Sequence, residues 1–214
     1  MPLPLFVSFE GIDGSGKSTQ ARLLASTLRQ DGYDVVEVRE PGGTPLGEDV
    51  RSLLLASDRS VTTRAELLLF AAARAELIET VIRPAMERGA VVVADRFSDS
   101  TVAYQGGGRG IRPVEWIEAL AEFAAAHVTP DRTYLIDVPV EDALARRSGA
   151  DTDRIEGAGR DFYSRVRSAY LHLSRRHPGR IVLLDGFQPI ESLRRRVLSD
   201  VEALLIGESS EDLA

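Results

Sequence analysis

Apolar residues recur along this chain with two periods, and the two alternate. Short apolar runs at about residues 5–9, 34–38, 90–95, 132–137 and 180–185 read as strands. The third, Ala90-Val91-Val92-Val93-Ala94-Asp95, is apolar at successive positions, as strands covered on both faces are. Between these runs lie stretches of helical period, at about 17–29, 65–87, 116–126, 140–147, 162–176 and 190–206. In the second of them Leu67, Leu69, Phe70 and Leu77 fill a broad apolar surface. Arg83-Pro84 within it predicts a kink, or an end and a restart. Alternating strands and helices imply an α/β fold, a five-stranded parallel sheet with helices on both faces and right-handed crossovers.

Two stretches break the alternation. Residues 105–110, Gln105-Gly106-Gly107-Gly108-Arg109-Gly110, read as a glycine-rich loop after the third strand. Residues 148–160 are polar and punctuated by glycine, with Arg146, Arg147, Arg154 and Arg160 in and beside them. That composition suits a lid, at about 147–160, that meets phosphate; an exposed helix–helix connection is the alternative. Residues 207–214 are small and acidic and read as a frayed tail.

Bulk properties narrow the class. A length of 214 residues fits one domain, 1–214, with room for a core. The net charge of −7 argues against bulk attraction to nucleic acid or to an anionic membrane. No run approaches the ~18 apolar residues of a membrane span, and no basic leader precedes the first strand. With no cysteine, disulfides and thiolate metal sites are excluded. The expectation is a soluble, cytoplasmic protein.

The chemistry begins after the first strand. Gly11-Ile12-Asp13-Gly14-Ser15-Gly16-Lys17-Ser18 matches G-x-x-x-x-G-K-S/T at every fixed position, between a strand and a helix. Without side chains at Gly11, Gly14 and Gly16, backbone amides can turn inward around phosphate oxygens. The helix N-terminus, followed by Thr19, adds partial positive charge. Lys17 would reach the β- and γ-phosphates of ATP, and the Ser18 hydroxyl would ligate Mg²⁺. Asp95 ends an apolar strand at the carboxyl edge of the sheet, where ligands bind in open α/β folds. Beside a phosphate loop it reads as the acid that acts on Mg²⁺ and its water. Arg96 follows it and can place charge on a transferring phosphoryl group. No Asn-Lys-x-Asp occurs, so guanine recognition of the GTPase kind is unsupported. A small nucleotide domain with a lid and several arginines suggests a kinase for a small phosphate-bearing acceptor. Cations are needed there to bring two anions together. A kinase for another nucleoside or nucleotide and a non-enzymatic ATP-binding regulatory protein are the alternatives.

Further segments carry a family resemblance. They are Arg39-Glu40-Pro41-Gly42-Gly43-Thr44, Phe70-Ala71-Ala72-Ala73-Arg74, Asp95-Arg96-Phe97, Tyr104-Gln105-Gly106-Gly107-Gly108-Arg109-Gly110 and Asp153-Arg154-Ile155-Glu156. In this order and spacing the chain resembles the bacterial thymidylate kinases over about residues 6–205. The resemblance implies a kinase that transfers the γ-phosphoryl group of ATP to dTMP, with Mg²⁺, as a homodimer. It implies that Phe70 stacks on thymine and that Arg74, one turn on, donates to O4. Thr101 and Gln105 then approach the N3–H edge. Cytosine reverses donor and acceptor at both places, so a site so built rejects dCMP. Asp13 resembles the acid that bonds the 3′-OH, Tyr104 the residue that crowds the 2′ position, and Arg51 the arginine on the acceptor phosphate. Glu40 resembles an acid near the sugar and the metal-bound water; it could equally stabilise the turn before Pro41. Gly14 and Ser15 stand where some members carry an arginine, so the lid would supply that charge. Arg154 is the first candidate and Arg147 the second. Arg146 could stack on adenine, which is otherwise expected near residues 185–189. His127, His172 and His177 lack metal-ligand spacing and receive no role.

Overall fold

A computed structural model describes residues 4–56, 60–147 and 159–207. Its strands are β1 (Leu5–Glu10), β2 (Val35–Arg39), β3 (Val91–Asp95), β4 (Arg132–Asp137) and β5 (Ile181–Asp185). All neighbours pair in parallel, in the order β2-β3-β1-β4-β5. Each strand lies within one residue of the apolar run that predicts it.

Helices cover both faces, and the period-2 alternation of the strands decides which residue meets which helix. Leu5, Val7 and Phe9 of β1 pack with Leu24 and Leu28 of α1 (Lys17–Gln30) and Val197 and Val201 of α9 (Ile190–Leu205). Phe6 belongs to the opposite face, with Val92, Ile78, Ile82 and Ala85. There Leu135 also meets Val166, Tyr170 and Leu173 of α8 (Arg160–Arg176). The predicted helices at 116–126 and 140–147 are α6 (Val114–Ala124) and α7 (Val140–Arg146).

The long predicted helix is continuous across its proline. α3 (Thr63–Leu77) widens into a π-helical turn, Ile78–Ile82, and resumes as α4 (Arg83–Glu87). Pro84 has no N–H for the carbonyl four residues earlier, and the wider turn accommodates the missing bond. α2 (Pro45–Leu55) has no counterpart among the predicted elements. Thr44 caps it by accepting from the Gly47 amide at 2.9 Å, and Pro45 takes the first helical position. Its buried residues Val50 and Leu54, one turn apart, are the signal that was there to read.

The glycine-rich run is a correction. Instead of a loop, α5 (Ser98–Thr101) continues as a π-helical stretch, Val102–Gly108. A Cβ on Gly107 would lie 2.6 Å from that of Ala169, and one on Gly108 only 2.4 Å from the Phe162 ring. These glycines let this stretch press against α8; they do not loosen the chain. The expected lid residue Arg154 and nearly all of the expected tail lie outside the described residues.

Parallel register aligns Phe9 with Asp95 and Asp95 with Arg39. Glu10, Gly11, Arg96 and Glu40 therefore emerge together at the carboxyl edge of β1, β3 and β2.

Candidate active site

Backbone conformation builds the phosphate loop. Gly11, Gly14 and Gly16 have φ of 141°, 87° and 97°, in the region that favours glycine. A Cβ on Gly11 would sit 2.6 Å from the Ile136 carbonyl oxygen, and one on Gly14 2.3 Å from that of Ala143. α1 starts directly after this turn, without a side-chain cap or an acid in its first turn, so its N-terminus faces the loop uncompensated. Lys17 is buried, with Nζ 3.4 Å from Asp13 Oδ1. Burial and the Arg96 charge push the Lys17 pKa down, while Asp13 and Asp95 oppose them. Ile12 is a core residue, and Ser18 and Thr19 are half-buried at the mouth.

Asp13 is the link from this loop to a second pocket. Its carboxylate accepts from Arg96 Nη2 at 2.6 Å, Tyr104 OH at 2.8 Å and Tyr163 OH at 3.1 Å. Burial alone would raise its pKa, but Arg96, Lys17 and the Tyr104 hydroxyl hold it well below the usual carboxylate range. Arg96 has φ of 75°, unusual for a side-chain-bearing residue and costing about 1–3 kcal/mol. Two bonds pin this turn, Arg96 N–H to the Phe9 carbonyl at 3.0 Å and Phe97 N–H to Glu10 Oε1 at 2.7 Å. The result is a guanidinium aimed at the loop, donating also to the Gly11 carbonyl at 3.0 Å and lying over the Tyr104 ring.

Every residue to which the resemblance gave an acceptor role lines that one pocket. Asp13, Arg96 and Tyr104, which bond one another, line it together with Phe70, Arg74, Thr101, Gln105, Glu40 and Arg51. Phe70 is half-buried, on α3 one turn before Arg74. Arg74 is 1% exposed. Its Nε donates to both oxygens of Glu40 at 3.0 Å, its Nη2 donates to Glu40 Oε2 as well, and its Nη1 to Thr101 Oγ1 at 2.8 Å. This leaves N–H capacity on both terminal nitrogens. Glu40, which had two readings, thus braces Arg74; burial pushes its pKa up and Arg74 opposes the shift. Arg51, on α2, donates to the Pro41 carbonyl at 3.1 Å.

The family model for thymidylate kinase matches residues 9–197. The chain belongs to the thymidylate kinase family. It is 51% identical over 205 residues to a thymidylate kinase of Pseudomonas putida, covering 95% of this chain and 97% of that one. It is 46% identical over 213 residues to one of Chlorobium chlorochromatii, covering 94% and 96%. The crystal structure of the Ehrlichia chaffeensis thymidylate kinase superposes with a TM-score of 0.78 at 35% identity, covering 94% of this chain and 99% of that one.

A second pocket is built partly from the same loop. Gly14, Ser15, Gly16 and Thr19 line it together with Arg146 and Phe187. Arg146 donates to the Gly186 carbonyl at 2.9 Å and lies 5.7 Å from the centre of the Phe187 ring. Arg146 therefore meets the segment after β5 where adenine was expected. Asp95 Oδ1 is buried without a hydrogen-bond partner among the described residues. An orphaned carboxylate oxygen at a strand end beside Lys17 fits a Mg²⁺-bound water. Among the described residues no cluster of three or more His, Asp or Glu could hold a metal by protein ligands alone. Mg²⁺ bound chiefly by substrate phosphates needs no such cluster.

Several residues of the site escape sequence reasoning. Glu10, 0% exposed, accepts from Ser100 Oγ at 2.6 Å and Tyr170 OH at 2.7 Å as well as from Phe97. Burial and the nearby Asp99 push its pKa up to about 7, against Arg96. An apolar strand ending in an acid was its signal, the same as for Asp95. Tyr163 and Phe187 carried none, since single aromatics on amphipathic helices and turns are common. Arg147, the second lid candidate, donates to Tyr163 OH at 3.3 Å and so stands near Asp13.

Proposed function

We propose that this chain transfers the γ-phosphoryl group of ATP to dTMP, giving dTDP. One observation carries the reading: a pocket lined by an aromatic ring, amide and hydroxyl groups and three arginines abuts the phosphate loop, with Asp13 and Arg96 shared between them. Phe70 would stack on the thymine, Arg74 would donate to O4, and Thr101 and Gln105 would meet the N3–H edge. Asp13 would accept from the 3′-OH and Tyr104 would crowd the 2′ position. Arg51 and Arg96 would hold the acceptor phosphate.

The acceptor oxygen is already anionic near neutral pH, so the reaction needs positioning and charge neutralisation more than a general base. Lys17 and Arg96 supply fixed positive charge on the two sides of the reacting phosphorus. Ser18 and Asp95 would hold Mg²⁺, directly and through its water, and the cation would neutralise charge on the β- and γ-phosphates. Arg154 would close on the transferred group, with Arg147 the second candidate for that role. The domain reading is one kinase unit, 1–214, with the lid at about 147–160. Helices around α3 would pair two copies into a homodimer. No helix among the described residues is long and apolar enough to cross a membrane, and a cytoplasmic enzyme is consistent with that.

A panel of dTMP, dUMP, dCMP, AMP and thymidine with ATP tests the reading through ADP release. dTMP is expected to be the best acceptor, with dUMP nearest to it. One methyl in an apolar pocket is worth only about 1–3 kcal/mol. Preference for AMP or thymidine would overturn the acceptor assignment, and ATP binding without acceptor-dependent ADP formation would overturn the enzyme.

A further inference from the structure

Glu66 is 1% exposed on the first turn of α3, one helical turn before Phe70, and no chemistry assigned so far uses it. A buried carboxylate is costly unless its lone pairs are filled. Among its partners are Arg109 and Gln105. Arg109 binds it side-on, Nε to Oε1 at 3.0 Å and Nη2 to Oε2 at 3.0 Å. Gln105 Nε2 donates to Oε1 at 3.0 Å. Gln105 is itself 2% exposed and lines the acceptor pocket from the π-helical stretch.

The direction of that second bond has a chemical consequence. An amide has a donor end and an acceptor end of nearly the same shape. A carboxylate paired with a guanidinium only accepts, so the NH₂ end of Gln105 must face Glu66. The reverse orientation would set oxygen against oxygen and leave the NH₂ group unpaired, a cost of about 1–3 kcal/mol. The carbonyl end, Oε1, is then left for the pocket, and among the described residues it makes no hydrogen bond. An amide fixed this way offers an acceptor and withholds a donor.

We propose that Glu66 is a positioning residue that sets the polarity of the Gln105 amide, so that the pocket accepts a pyrimidine that donates at N3 and refuses one that accepts there. The inference rests on the reading that thymine occupies this pocket. Arg109 serves as the counter-ion that keeps the positioning carboxylate buried. The selectivity of the pocket is thus written partly in two residues that need not touch the base.

The test is steady-state kinetics of the full chain with dTMP and with dCMP, for the wild type and Glu66→Gln, with melting temperatures of both. A glutamine at 66 can present either amide end, so Gln105 is free to turn. For dTMP, KM is expected to rise roughly 10-fold or more while kcat stays within a few-fold. The kcat/KM ratio of dCMP to dTMP is expected to rise roughly 10-fold or more. A parallel fall for both substrates, with the ratio unchanged, overturns the positioning role and leaves the dTMP reading standing. A wild-type enzyme that does not prefer dTMP to dCMP overturns both. Should Glu66→Gln not fold, the wild-type protein answers by ¹⁵N NMR of its side-chain amides, which come from few glutamines, Gln20, Gln30, Gln105 and Gln188. Slow exchange of the Gln105 NH₂ protons with solvent, with and without dTMP, is expected; fast exchange in both overturns the proposal.

Discussion

The donor cradle and the acceptor pocket meet at Asp13 and are built on opposite principles. The cradle is contiguous chain. Three glycines at positive φ and one helix N-terminus make it, and on the proposed reading it would select phosphate through backbone amides. The pocket is assembled from β2, α2, α3, β3 and the π-helical stretch, and its selectivity lies in buried side chains. Those side chains are held by other buried charges: Arg74 by Glu40, Gln105 by Glu66, and Arg96 by Asp13. The lesson is a division of risk. Truncating Lys17 in the cradle is expected to cost chiefly rate, whereas truncating Arg74 in the pocket is expected to cost core stability as well.

Three experiments press on that contrast, in decreasing order of effect. Lys17→Ala removes a cation from the cradle without touching the sheet. Turnover is expected to fall by about 10³–10⁵-fold, by analogy with other charge-neutralising groups in phosphoryl transfer. Its unfolding midpoint is expected to stay close to that of the wild type. A variant with near-normal turnover, or one that no longer folds, would break the contrast on the cradle side.

Arg74→Ala in the pocket leaves the Glu40 carboxyl buried without its cation. Stability is expected to drop by about 3–5 kcal/mol, readable as a urea midpoint, together with a higher KM for dTMP. A stability change below ~1 kcal/mol, with only KM affected, would show that the pair is not integral to the core.

Glu10 lies under the seam between the two regions and sharpens the comparison through pH. Its carboxyl moves from an ordinary 4.5 to about 7 in the folded chain. Between those values the folded state binds more protons than the unfolded state, so this group makes stability fall as pH rises through that window. The total is at most roughly 3 kcal/mol. Glu10→Gln should remove this fall, so urea midpoints of the variant should change less between about pH 4.5 and pH 7 than those of the wild type. An unchanged slope would mean that the Ser100 and Tyr170 hydroxyls keep the carboxylate ionised after all.

Much of this was legible in the chain itself. The five strands appear as apolar runs because a parallel sheet covered on both faces leaves no polar positions to interrupt them. The phosphate loop is visible because eight neighbouring residues carry all of its chemistry. The family resemblance names acceptor residues scattered from Asp13 to Gln105, and all of these line one pocket. What it does not reveal is what each residue is tied to. Glu40 had two readings, and neither included its bond to Arg74, which lies thirty-four positions away. The run Gln105 to Gly110 looks like a loop, because glycine that allows flexibility and glycine that allows close packing are spelled alike.

By itself, then, the sequence determined the sheet, the phosphate loop and the family, because each rests on local periodicity or on contiguous residues. Only the tertiary structure decided that Arg74 is braced by Glu40, that the Asp13 carboxylate joins donor and acceptor sides, and that Gln105 faces Glu66. Those facts depend on which buried donor meets which buried acceptor. In a dry interior an unpaired polar group is costly, and the partner it finds is set by how strands and helices pack rather than by its distance along the chain.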